Sequence, residues 1–230
     1  MKVEIWSDVV CPFCYIGKRK FEKALDGFAN KEQVEIVWKS FQLDPTTKPN
    51  PEKSVIESLA EKKGWTLEQS RQINQQVTGM AKEVGLDYQM EKAVIANTFD
   101  AHRLSHLAAE KGLQDQMEER LFAAYFTEGK DIGDKDTLVS LAQEVGLSAT
   151  EAAEVLKTDA YSDKVQADIY EAQQVGVRGV PFFVFDSKYA VSGAQPSDVF
   201  TQVLSKVWEE HTQANTIAEG GVCTTDGVCN

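Results

Sequence analysis

Near its amino terminus the chain runs from an apolar stretch through a helical pattern to a second apolar stretch. Residues 3–7, with Val3, Ile5 and Trp6, suit a short buried strand, and they lead directly into Cys11-Pro12-Phe13-Cys14. A helix is predicted next, because Phe21, Leu25 and Phe28 recur at i, i+4 and i+7 and share one face. That leaves Lys18, Lys20, Glu22 and Lys23 for solvent. Residues 34–41, rich in β-branched and aromatic side chains, read as a second strand. The opening is therefore β-α-β.

Pro45, Pro49 and Pro51 break regular structure, and beyond them the pattern is helical. Gly64, Gly85, Gly112, Gly129, Gly146 and Gly176 each close a run of helix-forming residues. Thr66 with Gln69, and Ser148 with Glu151, have the spacing at which side chains satisfy the free backbone donors of a helix start. Residues 45–158 thus read as an all-helical insertion. A helix over 159–175 presents Val165, Ile169 and Ala172 on one face and delivers the chain to Val180-Pro181. Two short strands, 182–185 and 189–191, flank the polar turn Asp186-Ser187-Lys188 and form a hairpin. A last helix starts at about Pro196 and carries Val199, Val203 and Val207 at four-residue spacing. Residues 1–44 and 159–212 then make one α/β domain, and 213–230 is expected to be a flexible, glycine-rich tail with a cysteine pair. The element order is that of a thioredoxin domain interrupted in its middle by helices.

Composition narrows the chemistry. A chain of 230 residues, 42% of them hydrophobic, can bury a sizeable core without a disulfide framework, so its four cysteines point to chemistry rather than staples. Met1-Lys2-Val3-Glu4-Ile5-Trp6 lacks the apolar run of a signal peptide, and no later stretch approaches the roughly 18 apolar residues of a membrane span. The expected compartment is the cytoplasm, where a Cys-x-x-Cys pair reads as redox-active or metal-binding before it reads as a permanent bridge. A formal net charge of −12 with no Lys/Arg cluster disfavours nucleic acid and anionic membrane as partners.

A cysteine at the start of a helix sits beside unpaired backbone N–H groups and the positive end of the dipole, and both favour thiolate over thiol. Pro12 suits the first helical turn, and the two-residue spacer lets Cys14 approach Cys11. Cys11 is then the attacking sulfur, and Cys14 resolves the mixed disulfide. The residue types leave the direction of electron flow open. A zinc site would need further ligands. Cys223 and Cys229 lie far along the chain, and His102 and His106, four apart on a predicted helix, lack a third partner, so no metal is expected. Pro181, just ahead of an apolar strand, marks a special turn or a cis bond, and the backbone before it, at Val180, could pair with an extended substrate.

Three segments carry a resemblance: Ser7 through Gly17 around the cysteines, Asn97-Thr98-Phe99-Asp100-Ala101-His102-Arg103, and Val177 through Val184 around Pro181. Together they resemble the FrnE-like branch of the DsbA family of thiol-disulfide oxidoreductases, over nearly the whole chain to about His211. The resemblance implies that Pro181 is a cis-proline, Cys11 the nucleophile and Cys14 its partner, with Pro12, Phe13 and Val180 against the substrate. Its implied partners are protein or small-molecule thiols and disulfides, with no tightly bound cofactor and glutathione as a candidate co-substrate. Two departures stand out. Phe13 replaces the spacer histidine of periplasmic DsbA proteins, and Ile5 stands where thioredoxins keep a buried acid six residues before the nucleophile. Asp8 is closer and is expected to cap the following helix, with proton relay as its other reading.

The same branch includes kappa-class glutathione transferases and 2-hydroxychromene-2-carboxylate isomerases, where a serine commonly stands at the position of Cys11. A glutathione-dependent isomerase or transferase is therefore the second reading, with Asn97 and His102 as contacts from the helical insertion. Arg103 shares the status of His102 as a candidate for the cleft. FrnE-like proteins sometimes carry an extra carboxy-terminal cysteine pair, which makes Cys223 and Cys229 a possible accessory redox couple. A binding module that keeps the fold without redox chemistry is the third reading, and the intact cysteine pair argues against it.

Overall fold

The computed structural model describes residues 1–50 and 52–219, with side chains through residue 212. Cys223 and Cys229 lie outside the described residues.

Strand β1 (Lys2–Ser7) runs through the middle of a four-stranded sheet of order β2-β1-β3-β4. It pairs in parallel with β2 (Glu35–Ser40) and antiparallel with β3 (Phe182–Phe185), which forms a hairpin with β4 (Tyr189–Ser192). A central strand is covered on both faces, so both sets of alternate residues are apolar or paired. On one face Val3 and Ile5 lie opposite Phe185 and Phe183. Phe21 of α1 (Pro12–Asp26) and Phe200 of the carboxy-terminal helix close over them, with the Phe183 and Phe200 rings 4.7 Å apart. On the other face Trp6 packs with Ala172, Val177 and Val184, and its Nε1–H donates to Asp168 O at 3.0 Å. Removing those contacts would open both layers at once.

Six helices fill the middle of the chain: α2 (Val55–Lys63), α3 (Leu67–Glu83), α4 (Phe99–Glu110), α5 (Gln114–Ala123), α6 (Lys135–Glu144) and α7 (Ala149–Lys157). Then α8 (Ser162–Val175) returns to the sheet against β2, and α9 (Ser197–Glu219) packs on α1. This is a mixed α/β molecule with a thioredoxin fold and a helical insertion. The Thr66–Gln69 capping box forms with both of its bonds, and Ser148 accepts from Glu151 N–H. A second box, Ser54–Glu57, starts α2 and was not singled out from the sequence.

Three expectations need correction. Lys18 does not face solvent: α5 covers that side of α1, and the buried ammonium pairs with Glu22, with Asp115 at 3.3 Å and with Glu119 at 3.1 Å. Arg19 and Tyr15 complete this bridge, Tyr15 donating to Glu119 at 2.5 Å. Phe28 lies beyond Gly27, which ends α1, yet it still packs edge-on against Trp208 at 5.8 Å. Finally, α9 continues to Glu219, past the point where the tail was expected to begin, because no glycine or proline interrupts residues 197–219.

Candidate active site

The chain leaves β1 at Ser7, turns through Asp8, Val9 and Val10, and enters α1 with Cys11 as its N-cap. The turn is closed by Cys11 N–H donating to Asp8 O at 2.9 Å, and the first helical turn by Cys14 N–H donating to Cys11 O at 3.0 Å. Pro12 occupies the first helical position, where a missing donor costs nothing. No side chain caps this helix start and no acid lies in its first turn, so the Cys11 sulfur has the dipole's positive end without a competing carboxylate there. Asp8 is not the cap that the sequence suggested. Its Oδ2 accepts from Leu43 N–H at 2.7 Å, pinning the segment after β2 to the turn that carries Cys11.

Cys11 and Cys14 are free thiols, 4% and 1% exposed. Burial and the adjacent Cys11 push the Cys14 thiol well above its ordinary value. Cys11 Sγ lies 3.5 Å from Val180 O, and the Val180-Pro181 peptide is cis. The two segments, 169 residues apart in sequence, thus meet at the sulfur. Phe13, 41% exposed, points the spacer outward, while Pro12 O accepts the Tyr88 hydroxyl at 2.7 Å.

Gly17 sets the height of Pro181 over the helix. A Cβ at position 17 would lie 2.9 Å from Pro181 Cγ and 3.5 Å from Phe183 Cζ, so only glycine lets the proline ring rest on α1. Gly17→Ala is expected to cost about 1–3 kcal/mol by overpacking, together with a loss of disulfide turnover as Pro181 shifts. Thermal melts and turnover check this against Gly27→Ala, where the nearest atom is 3.7 Å away and little change is expected.

Beneath the site lies a buried ionic group. His102 of α4, 2% exposed, has Nε2 3.0 Å from Phe41 O and 3.4 Å from Asp8 Oδ1. Phe41 O takes the hydrogen bond, so Asp8 Oδ1 is held by charge alone. Burial lowers the His102 pKa, but Asp8, Glu118 and the Phe41 carbonyl together outweigh it and the net shift is upward. Glu118, buried and accepting from Ser105 Oγ at 2.6 Å, is raised by burial.

The remaining sequence candidates are engaged by other segments of the protein. His102 is buried, with its Nε2 against Phe41 O. Asn97 donates to Pro45 O and Thr47 O, and accepts from Phe99 N–H at the start of α4 and from Gln42 Nε2. Arg103 binds Asp100 and the carbonyls of Val155, Thr158 and Ala160, tying α4 to the end of α7. His106 pairs with Asp168 at 3.0 Å, so the two histidines serve different carboxylates instead of one metal. Among the described residues no group of three or more His, Cys, Asp or Glu side chains could hold a metal ion. Tyr88 and Gly17 were missed as site residues. Gly17 was legible in its place six residues after Cys11, but nothing local marked Tyr88, 76 residues from Pro12.

Comparison with known proteins identifies the family. The chain is 30% identical over 205 residues to the uncharacterized protein YwbO of Bacillus subtilis, covering 88% of this chain and 95% of that one. It is 42% identical to a probable DsbA oxidoreductase from Streptomyces coelicolor, with a TM-score of 0.86 and 91% of each chain covered. The fold is shared with the cytosolic disulfide reductase DsbM of Pseudomonas aeruginosa, solved with GSH, at 14% identity and a TM-score of 0.63 over 90% of this chain and 99% of that one. A family model described as a DSBA-like thioredoxin domain matches residues 2–205, and on this span the chain belongs to the DsbA-like family of thioredoxin-fold oxidoreductases.

Proposed function

We propose that this protein exchanges disulfides through Cys11 and Cys14, with Pro181 and Val180 seating the substrate. The observation that carries the reading is the Cys11 sulfur at the bare start of α1, 3.5 Å from Val180 O, with a second free thiol one turn behind it. Cys11 thiolate attacks a substrate disulfide, forming a mixed disulfide as one substrate thiolate leaves. Cys14 then attacks the Cys11 sulfur, the second substrate thiolate leaves, and the protein ends as the Cys11–Cys14 disulfide. Run backwards, the same steps oxidise a substrate dithiol. The substrates are protein or small-molecule thiols and disulfides, with glutathione as co-substrate. DsbM, a cytosolic reductase solved with GSH, supports that choice and a cytoplasmic setting. Among the described residues no helix is long and apolar enough to cross a membrane.

Cys14 also favours this reading over a glutathione-dependent isomerase or transferase, which has no step for a resolving thiol. The test is mixed-disulfide trapping with a disulfide-bearing substrate. Cys14→Ser should accumulate a covalent adduct that reductant releases, and Cys11→Ser should form none. Isomerase turnover that survives the loss of Cys14 would overturn the proposal.

A further inference from the structure

A cavity of about 350 Å³ opens on the insertion between α3 and the loop at 88–92, within the range of small-molecule sites. Arg71 and Lys92 line it, with Glu91 as the one acid in its wall. Among the described residues neither cation is paired with a carboxylate. By contrast, Lys53 and Lys62, just before and within α2, are paired, Lys53 with Glu61 and Lys62 with Asp44 at 2.5 Å. Glu57, the acid that feels Arg71, is spent on the capping box of α2. In a chain of net charge −12, a concave surface with two unpaired cations is a site for an anion.

Tyr88 joins this cavity to the cysteines. Its ring lines the cavity while its hydroxyl donates to Pro12 O, one residue from Cys11. The wall is preformed: Tyr88 stacks on Phe126 at 4.5 Å, and Gln89 N–H donates to Phe126 O at 2.6 Å. Gly129, at φ 69°, lets Lys92 O approach to where a Cβ would be only 2.7 Å away.

We propose that this cavity binds the carboxylate end of a small peptide thiol or its disulfide and aims the sulfur past Tyr88 at Cys11. The proposal rests on the disulfide-exchange reading and names its small substrate. A peptide of two or three residues spans up to about 10 Å, enough to cross the one side chain between cavity and spacer. The bound disulfide accepts two electrons and leaves as two thiolates, while Cys11 and Cys14 lose those electrons, form their own disulfide and release two protons to solvent.

The test uses the full chain and two disulfides, glutathione disulfide with its carboxylates and the neutral bis(2-hydroxyethyl) disulfide. Arg71→Ala and Lys92→Ala should each raise KM for glutathione disulfide about tenfold, the worth of one charge-assisted hydrogen bond. Kinetics on the neutral disulfide should be unchanged, and Arg71→Lys should recover part of the loss. Calorimetric titration with S-methylglutathione, which has the carboxylates but no thiol, should weaken by the same factor. Equal slowing on both disulfides, or S-methylglutathione binding indifferent to Arg71 and Lys92, would overturn the assignment. Charge-dependent binding in a protein that turns over neither disulfide would uphold the cavity and overturn the redox reading instead.

Discussion

Cys11→Ser is expected to lower disulfide-exchange turnover by about three orders of magnitude or more, because a serine hydroxyl supplies neither a thiolate nor a sulfur that can carry a mixed disulfide. The loss should appear equally on protein and small disulfides, since both pass through the same sulfur. Stability should move little beside the loss of turnover: the contact of the Cys11 sulfur with Val180 O is long, and a hydroxyl can take it over. A melt close to that of the parent, with turnover gone, separates chemistry from folding. Cys14→Ser tests the other half. The first step survives and the second fails, so a stoichiometric adduct should form and persist until reductant is added. Turnover by Cys11→Ser within tenfold of the parent would sink the assignment of the nucleophile.

The second large effect concerns the ion pair under the site. His102→Ala should destabilise the protein by about 3–5 kcal/mol, the cost of stranding a buried charge. For a chain of this size that corresponds to a melting temperature lower by roughly 10 °C. The stranded groups are Asp8 Oδ1, which has no other partner, and Phe41 O, which loses its donor. The effect has a pH signature. The folded-state pKa of His102 is raised above its unfolded value of about 6.5. Its charged contribution is therefore fully present below about pH 6.5 and fades as pH rises through the folded value. The gap in stability between parent and His102→Ala should accordingly narrow toward alkaline pH. A gap that is constant with pH would mean that His102 acts by packing alone.

Much of the fold was legible along the chain. The central strands announced themselves as apolar runs because each is covered on both faces. The helix starts at Thr66 and Ser148 were local signals, made by side chains three residues apart. The solvent side of α1 was misread for the opposite reason: the amphipathic pattern of residues 12–26 cannot show that α5, about a hundred residues later, brings Asp115 and Glu119 over Lys18. The partners of His102 and Asn97 were hidden by the same limit. A polar side chain in a motif reads as substrate-facing until the carbonyls and carboxylates that claim it are known, and Phe41, Pro45 and Asp8 come from other segments.

By itself the sequence determined the cysteine pair, its place between strand and helix, the proline ahead of β3 and the helical interruption. These depend on residue type, short spacing and hydrophobic period, all of which are local. Tertiary structure decided what surrounds the sulfur. It brought Val180 O to Cys11, set Pro181 on Gly17, turned Asp8 from a helix cap into the partner of His102, and ran Tyr88 from the spacer to a cavity holding unpaired cations. Each is a contact between segments far apart in the chain, settled by how the layers pack and by which buried polar group finds a partner, and no local pattern encodes that choice.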